Sequence, residues 1–202
     1  MKNNIQSFGY SEMYEWEDIP EGINLFGKFV QFDSNYPDKI RLYNGKSDYI
    51  VGITTTNSTT TSDNPEEWHN KYLGNEYGDL YLRKERLAVG TKVYDQINEI
   101  SYIQTRPWEH HVLIENPETN DKLKYIPRTS RREWIRVNLL GKVIVEDNGK
   151  CVPGQFCKPN VSKFVKEQGI AIPSLSSKDK HRYYVIQRIS DKTILILNKW
   201  YE

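Results

Sequence analysis

Short strand-like runs fill this chain from one end to the other, and this pattern constrains the fold more than any other feature. The runs are rich in β-branched and aromatic residues and are bounded by Asn, Asp, Gly and Pro. They are KFVQF (28–32), KIRLY (39–43), YIVGITT (49–55), TKVYD (91–95), EISYIQT (99–105), HVLIE (111–115), LLGKVIVED (139–147), YYVIQRIS (183–190) and KTILILNKW (192–200). Turn signals at NG (44–45), DNG (147–149) and SDKT (190–193) predict hairpins. The pattern predicts an all-β fold.

Helical patterns are scarce. The segment DNPEEWHNKYLG (63–74) combines an Asp or Asn N-cap, an early Pro, acids in the first turn and a final Gly, so it predicts the main helix. VSKFVKEQG (161–169) predicts a second, shorter helix, and TTTNSTTTSDN (54–64) is typical of a loop. With 202 residues, we expect one domain or a domain with a small appendage. We predict a compact β-sandwich or barrel-like domain over residues 1–202 with one or two short helices, in which residues 1–8 form a leader.

Composition excludes several classes of function. The formal net charge of +1 argues against nucleic acid as a partner, because phosphate binding requires a basic surplus. No apolar run approaches the roughly 20 residues of a membrane-spanning helix, and we identify no signal peptide, so we expect a soluble protein with no membrane partner. Cys151 and Cys157 have neither a second pair nor zinc-ribbon spacing. We interpret them as a structural pair of reduced thiols, although a disulfide is possible.

Histidines and basic residues give weak signals for chemistry. Adjacent residues on a strand point to opposite faces, and no acid-and-His set at ligand spacing accompanies the four histidines His69, His110, His111 and His181. We therefore expect no metal and no cofactor. The basic segment PRTSRREW (127–134) is interpreted as a local salt-bridge cluster facing the acidic N-terminal region rather than as a phosphate site. The chain has no phosphate-binding Gly loop and no nucleophile elbow.

The segment GYSEMYEWED (9–18) is unusual because it mixes carboxylates with large aromatic rings. On either a strand or a helix, at least one Glu shares a face with Tyr and Trp. Apolar surroundings raise the pKa of a carboxyl group and make it reactive. The alternative interpretation is an acidic edge strand whose charges discourage aggregation. The residues concerned are the acids Glu12, Glu15, Glu17 and Asp18 and the aromatics Tyr10, Tyr14 and Trp16.

Read in order, the motifs resemble a known family. They are GYSEMYEWED, KFVQFD, YIVGIT, PEEWHNKYLGNEYGD, YIPRTSRREWIRVNLLGKVIVEDNGKCVPGQFCKP and YYVIQRISDKTILIL. Together they resemble the C-terminal autoproteolytic intramolecular-chaperone domain (a peptidase family) of phage tailspikes and neck appendages. The resemblance extends from about residue 9 to residue 197 and is weak between residues 80 and 121.

This resemblance implies a domain at the end of a trimeric virion fibre or spike, made in the host cytoplasm. Such a domain assists trimer folding and then cuts the chain at its own N-terminal boundary. The reactive carboxylates implied here are Glu12 and Glu15, with Asp18 a weaker third. Carboxylate-catalysed hydrolysis requires one ionised group to activate water and one protonated group to assist the leaving amine. The implied partners are two further copies of the chain, other virion proteins and an upstream fibre segment.

Two features leave a second function open. The family commonly has an acidic residue at the boundary, where this chain has Gly9, and only residues 1–8 precede the motif. The alternative is a free-standing structural virion protein, a capsid or fibre component, that is built on the same fold and does not cleave. The two functions differ in whether a longer precursor is processed.

Overall fold

The computed structural model describes residues 8–47, 49–63, 65, 67–68, 70–95, 100–103, 105–119 and 123–199. The chain divides into two compact units. The main unit consists of Met1–Asn64 and Ile126–Glu202, and the inserted unit is Pro65–Tyr125. The domain organisation that we expect from the sequence remains a prediction.

Strands dominate the described residues, which confirms the all-β prediction. They are β1 (Phe8–Trp16), β2 (Phe29–Phe32), β3 (Lys39–Leu42), β4 (Gly52–Thr55), β5 (Thr60–Ser62), β6 (Leu82–Leu87), β7 (Lys92–Asp95), β8 (Ile100–Ile103), β9 (Trp108–Leu113), β10 (Trp134–Glu146), β11 (Phe156–Pro159), β12 (Ala171–Pro173), β13 (Tyr183–Ser190) and β14 (Thr193–Asn198).

Five strands of the main unit close into a barrel. β10 pairs with β4, β4 with β2, β2 with β3, β3 with β1, and β1 returns to β10. Closure leaves no open edge in this ring and encloses its apolar side chains. The interior cluster consists of Trp16, Val30, Ile40, Leu42, Val51, Ile135 and Val137. Each fully buried aliphatic side chain of this kind contributes about 1.5–3 kcal/mol to stability.

The C-terminal half of β10 leaves the barrel and starts a second part of the sheet. From Gly141 onward β10 pairs with β14, and the order continues through β13 and β11 to β12. Val143 and Val145 of β10 belong to a second buried cluster that also contains both cysteines. The two thiols are free and buried, which agrees with the interpretation of a reduced structural pair. The hydrogen bond to Cys151, followed by burial, raises the pKa of the Cys157 thiol, so neither reactivity nor metal binding is favoured there.

The prediction of a main helix at 63–74 is wrong for the described residues of that segment. Tyr72 forms a bridge with Glu115, and Gly74 forms one with Leu80. These pairings use the backbone groups that a helix would have used, so strand contacts override the local helix signals. In the second predicted helix, the structure has only a 3-10 turn at Val165–Glu167, and a similar turn lies at Arg128–Ser130. Among the described residues no helix is long and apolar enough to cross a membrane.

The described residues of the inserted unit form two two-stranded ladders. β6 pairs with β9, and β7 pairs with β8, both antiparallel. Where the inserted unit begins and ends, the Trp68 and Tyr125 rings meet edge to face at 5.1 Å. The Tyr125 hydroxyl also donates to the Pro65 carbonyl at 2.6 Å. Ring packing and a hydrogen bond therefore hold the two ends of this unit together.

Candidate functional site

β1 carries the acidic residues of the candidate site and lies between two neighbours. On one side Glu12 is opposite Val137 and Glu15 is opposite Trp134, both in β10. On the other side the partners are parallel: Glu12 is opposite Ser62 of β5, and Glu15 is opposite Lys39 of β3. Because both acids lie on one strand paired on both sides, their backbone positions are fixed.

Glu12 is held by two phenol hydroxyls. Tyr10 donates to Glu12 Oε1 at 2.6 Å, and Tyr14 donates to Oε2 at 2.9 Å. An ionised carboxylate has only acceptors, so two donors on its two oxygens match the charged form. Burial followed by the hydrogen bond to Glu12 raises the pKa of Tyr14, and the hydrogen bond to Glu12 is the main cause that raises the pKa of Tyr10. Both phenols therefore remain protonated donors at neutral pH.

The sequence predicted that the aromatic residues of β1 provide apolar surroundings for a carboxyl group. In the structure these residues have other roles. Tyr10 is 37% exposed and its hydrogen bond to Glu12 lies at the surface, so this ring does not seal the carboxylate from water. Trp16 is buried in the barrel interior, and the Tyr14 ring packs at 5.9 Å from Phe32. The two tyrosines act on Glu12 as hydrogen-bond donors, while Trp16 contributes to the barrel core.

Glu15 is held by a cation. Its Oε1 lies 2.6 Å from Lys39 Nζ, and both side chains are about one third exposed (32% and 29%). The hydrogen bond to Glu15 is the main cause that raises the pKa of Lys39, so the ammonium form is maintained. This pair is a charge-assisted hydrogen bond between neighbouring parallel strands.

Glu12 and Glu15 border the same small cleft, which we call the acidic cleft. Its volume is about 340 Å³, and two further carboxylates, Asp38 and Asp63, also line it. The sequence thus identified two of the four acids. Asp38 and Asp63 were missed because no local motif marks them: they reach the cleft through the parallel pairing of β3 and β5 with β1.

Asp63 is fixed at the end of β5 by Arg128. Its backbone has a positive φ of 53°, in the left-handed region that non-glycine residues rarely adopt. Arg128 forms an ion pair with the Asp63 carboxylate and donates to the Asp63 carbonyl at 2.8 Å. The Arg128 guanidinium also lies 3.8 Å from the centre of the Trp134 ring. The basic segment 127–134 therefore does form a local ion-pair cluster, and Arg131–Glu133 at 3.9 Å is a second pair within it.

Asp18 lies apart from the acidic cleft. It is exposed in the loop after β1 and borders a neighbouring groove of about 470 Å³. Glu15 borders both depressions, whereas its partner Lys39 borders the groove. The structure thus brings Glu12 and Glu15 to one cleft and leaves the third predicted acid, Asp18, outside it.

The bond that the resemblance marks for cleavage, between residues 8 and 9, lies inside a paired strand. Phe8 is opposite Lys142 and Gly9 is opposite Gly141. A Cβ atom added at Gly9 would lie 2.0 Å from the Leu140 carbonyl oxygen, so only glycine fits without a shift of the backbone. The packing of β10 thus accounts for the glycine at this position.

The remaining predicted candidates gain no chemical role from the structure. His110 and His111 lie on β9, where His110 stacks on Trp108 with ring centres 5.1 Å apart. His181 meets the Tyr43 ring edge to face, and His69 lies outside the described residues. Within the part of the chain that the structure describes, no group of three or more His, Cys, Asp or Glu residues could hold a metal ion.

Comparison with known proteins gives relatives among phage appendage proteins. The chain is similar to the pre-neck appendage protein of Bacillus phage B103, with 27% identity over 126 residues. It is also similar to the preneck appendage protein of Bacillus phage PZA, with 29% identity over 111 residues. These alignments cover 61% and 54% of this chain but only 13% and 11% of the relatives. The chain therefore spans a small part of the length of the curated relatives it matches.

Two solved structures share the fold. The pre-mature bacteriophage phi29 gene product 12 superposes with a TM-score of 0.63 at 18% identity, over 96% of this chain and 22% of that chain. The phi29 gene product 12 C-terminal fragment superposes with a TM-score of 0.57 at 21% identity, over 94% of this chain and 99% of that chain. At these identities the likeness establishes the fold.

The family match covers nearly the whole chain and confirms the resemblance identified from the sequence motifs. Residues 2–189 match the family Peptidase_G2, the IMC autoproteolytic cleavage domain. This range includes β1 with Glu12 and Glu15, the acidic cleft and the whole barrel cluster, while Ile194 and Ile196 of the second cluster lie beyond it. The chain therefore belongs to the Peptidase_G2 family of IMC autoproteolytic cleavage domains.

Proposed function

We propose that this chain is the intramolecular-chaperone domain of a phage appendage or fibre, which supports homotrimer assembly and cuts its own N-terminal boundary with carboxylates. The observation that carries the proposal is Glu12, oriented by two phenol donors and sharing a cleft with Glu15 in a member of an autoproteolytic family. A carboxylate whose two oxygens are oriented by phenol donors at the rim of a cleft is suited to act as a general base.

The proposed reaction is hydrolysis of a peptide bond. Glu12 takes a proton from water, whose oxygen attacks the carbonyl carbon of the bond before residue 9. The C–N bond then breaks, and the leaving amine takes a proton from the carboxyl group of Glu15. For this role Glu15 leaves Lys39, its partner at 2.6 Å, and takes up a proton from solvent before it meets the substrate amide. Asp18, exposed in the adjacent groove, is retained as the weaker third candidate.

The reach of the side chain favours cleavage between copies. A strand rises about 3.3 Å per residue, so the Cα atoms of Gly9 and Glu12 are about 10 Å apart along β1. A glutamate side chain extends over less than half of that distance, and the target bond is paired with β10. We therefore propose that Glu12 of one copy acts on the boundary segment of a neighbouring copy before that segment joins the sheet. Cleavage would then occur only where two copies have come together.

The relatives support a place in the virion. Two are pre-neck appendage proteins of Bacillus phages, so we infer that this chain also belongs to a virion appendage and is made in the host cytoplasm. The phi29 gene product 12 C-terminal fragment, of which this chain covers 99%, supports a unit that folds apart from the rest of an appendage. Its inferred partners are further copies, other virion proteins and an upstream fibre segment.

A second candidate function is a non-cleaving structural virion protein on the same fold. The packing at Gly9 favours it, because the Leu140 carbonyl occupies the space that an acidic boundary residue would need. In this alternative β1 serves only to close the barrel. The same trimer is expected, without processing.

A mixing experiment tests whether the cut is made between copies. A precursor that has a fibre segment fused ahead of residue 9 and the change Glu12→Gln is co-expressed with an unfused chain that has Glu12. Appearance of the cleaved precursor supports action of one copy on another. If the precursor remains uncut while the unmodified fusion cleaves, the cut is made within one chain; if neither cleaves, the structural alternative is favoured.

A further inference from the structure

A leucine on the loop between β12 and β13 is held out into solvent. Leu175 is 93% exposed, yet the loop around it is internally bonded. Ser174 Oγ donates to Asp179 Oδ2 at 2.8 Å, and Lys158 Nζ lies 2.8 Å from Asp179 Oδ1. These bonds tie the two sides of the loop to each other and to β11. We call residues 174–182 the Leu175 loop; its shape is set before any partner arrives, which lowers the entropic cost of docking.

The Leu175 loop is basic. Lys178 and Lys180 are exposed on it, while Asp179 is held by Lys158 at 2.8 Å. The main acid of the loop is thus neutralised internally. The Leu175 side chain therefore projects into solvent, and the exposed residues Lys178 and Lys180 follow it in the chain.

A groove of complementary character lies elsewhere on the main unit. Its volume is about 860 Å³, and its apolar lining includes Ile23, Phe164 and Val165. Phe164 is 73% exposed and Val165 is 46% exposed, so much of this lining faces solvent. We call this depression the acid-rimmed groove, because four carboxylates border it: Glu17, Asp18, Glu21 and Glu167.

The rim of this groove has an excess of negative charge. The two cations that border it are Arg41 and Lys166. Arg41 already forms an ion pair at 2.7 Å with Asp33, whose side chain is 1% exposed. The groove therefore presents carboxylates to an incoming ligand, and it has an apolar interior in which a single aliphatic side chain can be buried.

We propose that the Leu175 loop of one copy docks into the acid-rimmed groove of the next. This inference rests on the self-association in the proposed function and names its surfaces. Leu175 meets the apolar lining, and the loop, whose lysines are exposed, meets the carboxylates of the rim, so apolar contact and opposite charge both favour a second copy of this chain. Contact between two different surfaces is head-to-tail, and such contacts close into rings when the rotation between subunits allows it.

The test measures self-association of the full chain by sedimentation equilibrium over a concentration series. Leu175→Asp weakens association about 10-fold or more, because it places a charge in the apolar groove. The matched control is Val152→Asp, at a position that is 49% exposed and outside the Leu175 loop, and it leaves association unchanged. Thermal unfolding of each variant checks that the fold is retained, as expected for changes at exposed positions.

Charge reversal gives an independent test. Glu21→Lys and Lys178→Glu each weaken association several-fold, and the double variant recovers most of the loss because the pair is restored with opposite signs. A wild-type oligomer that tolerates Leu175→Asp and shows no recovery in the double variant overturns the named surfaces, while the proposed self-association stands. A wild-type chain that stays monomeric throughout overturns both.

Discussion

A buried lysine offers the clearest quantitative prediction. Lys28 follows Gly27 in the main unit, and its side chain is 1% exposed. Its ammonium lies 3.1 Å from Glu146 Oε2, and the Glu146 side chain is 26% exposed. At an effective dielectric constant of about 20, two unit charges at this distance attract by about 5 kcal/mol. The net value is smaller, because desolvation of the ammonium opposes this attraction.

We expect the two partners to respond unequally to substitution. Glu146→Gln leaves the Lys28 ammonium buried beside a neutral amide and lowers the free energy of unfolding by about 3 kcal/mol, the lower end of the range for a broken buried pair. The lower end applies because water reaches Glu146. Lys28→Met removes the buried charge, keeps a side chain of similar length and changes the free energy of unfolding by about 1 kcal/mol or less. The double variant therefore resembles Lys28→Met and recovers about 2 kcal/mol of the loss.

Urea unfolding followed by tryptophan fluorescence measures these differences, with the slope of the transition checked for constancy. The matched control is Glu85→Gln at the exposed pair Arg83–Glu85, where the side chains are 63% and 40% exposed. There we expect a change below about 1 kcal/mol. A loss under about 1 kcal/mol for Glu146→Gln, or no recovery in the double variant, would refute the reasoning that Lys28 depends on this carboxylate.

Two further predictions concern stability. Gly9→Ala places a Cβ atom 2.0 Å from the Leu140 carbonyl oxygen and is expected to lower the free energy of unfolding in urea by about 2 kcal/mol or more. The control Gly22→Ala, at φ +67° in open space, lowers it by about 1 kcal/mol. Equal losses in the two variants would contradict the packing argument. Hydrogen bonds from the Asn35 N–H and then Arg41 hold the pKa of Asp33 below its usual value. The stability that Asp33 contributes is therefore present at neutral pH and is lost as the pH falls below about 4. The free energy of unfolding of Asp33→Asn should fall less steeply with pH in this range than that of the unmodified chain. An unchanged dependence would show that Asp33 does not contribute.

The sequence predicted strands well wherever a run of apolar residues was bounded by turn signals. β13 and β14, joined by SDKT, pair as the hairpin that the pattern indicates. The predicted helix at 63–74 failed because Tyr72 and Gly74 pair with distant strand residues, and no local pattern encodes such pairing.

The candidate site was predictable only as far as a single strand carries it. Glu12 and Glu15 stand out because acids and aromatics alternate within ten residues of sequence. Asp63 reaches the acidic cleft because β5 runs parallel to β1 about fifty residues later, which local spacing does not reveal. The sequence also could not distinguish a tyrosine that shields a carboxylate from one that donates a hydrogen bond to it, because that depends on the direction of the side chain.

The central claim is that the carboxylates of β1 cut the chain at its N-terminal boundary. The most direct measurement is the rate at which a precursor, with a fibre segment fused ahead of residue 9, gives two bands over time. We predict cleavage close to the bond before Gly9, slowed about 100-fold or more by Glu12→Gln and strongly by Glu15→Gln, because an amide cannot exchange a proton with water or the leaving amine. The two losses should be far from additive, since residues that act as a unit fail together.

Glu17→Gln is the matched control, because Glu17 follows β1 in the same acidic segment but lies outside the acidic cleft. We predict that it cleaves at close to the unmodified rate. Equal cleavage in all three variants would contradict the assignment of the chemistry to Glu12 and Glu15. An unmodified fusion that assembles but never cleaves would contradict the central claim itself and leave a domain that serves assembly alone.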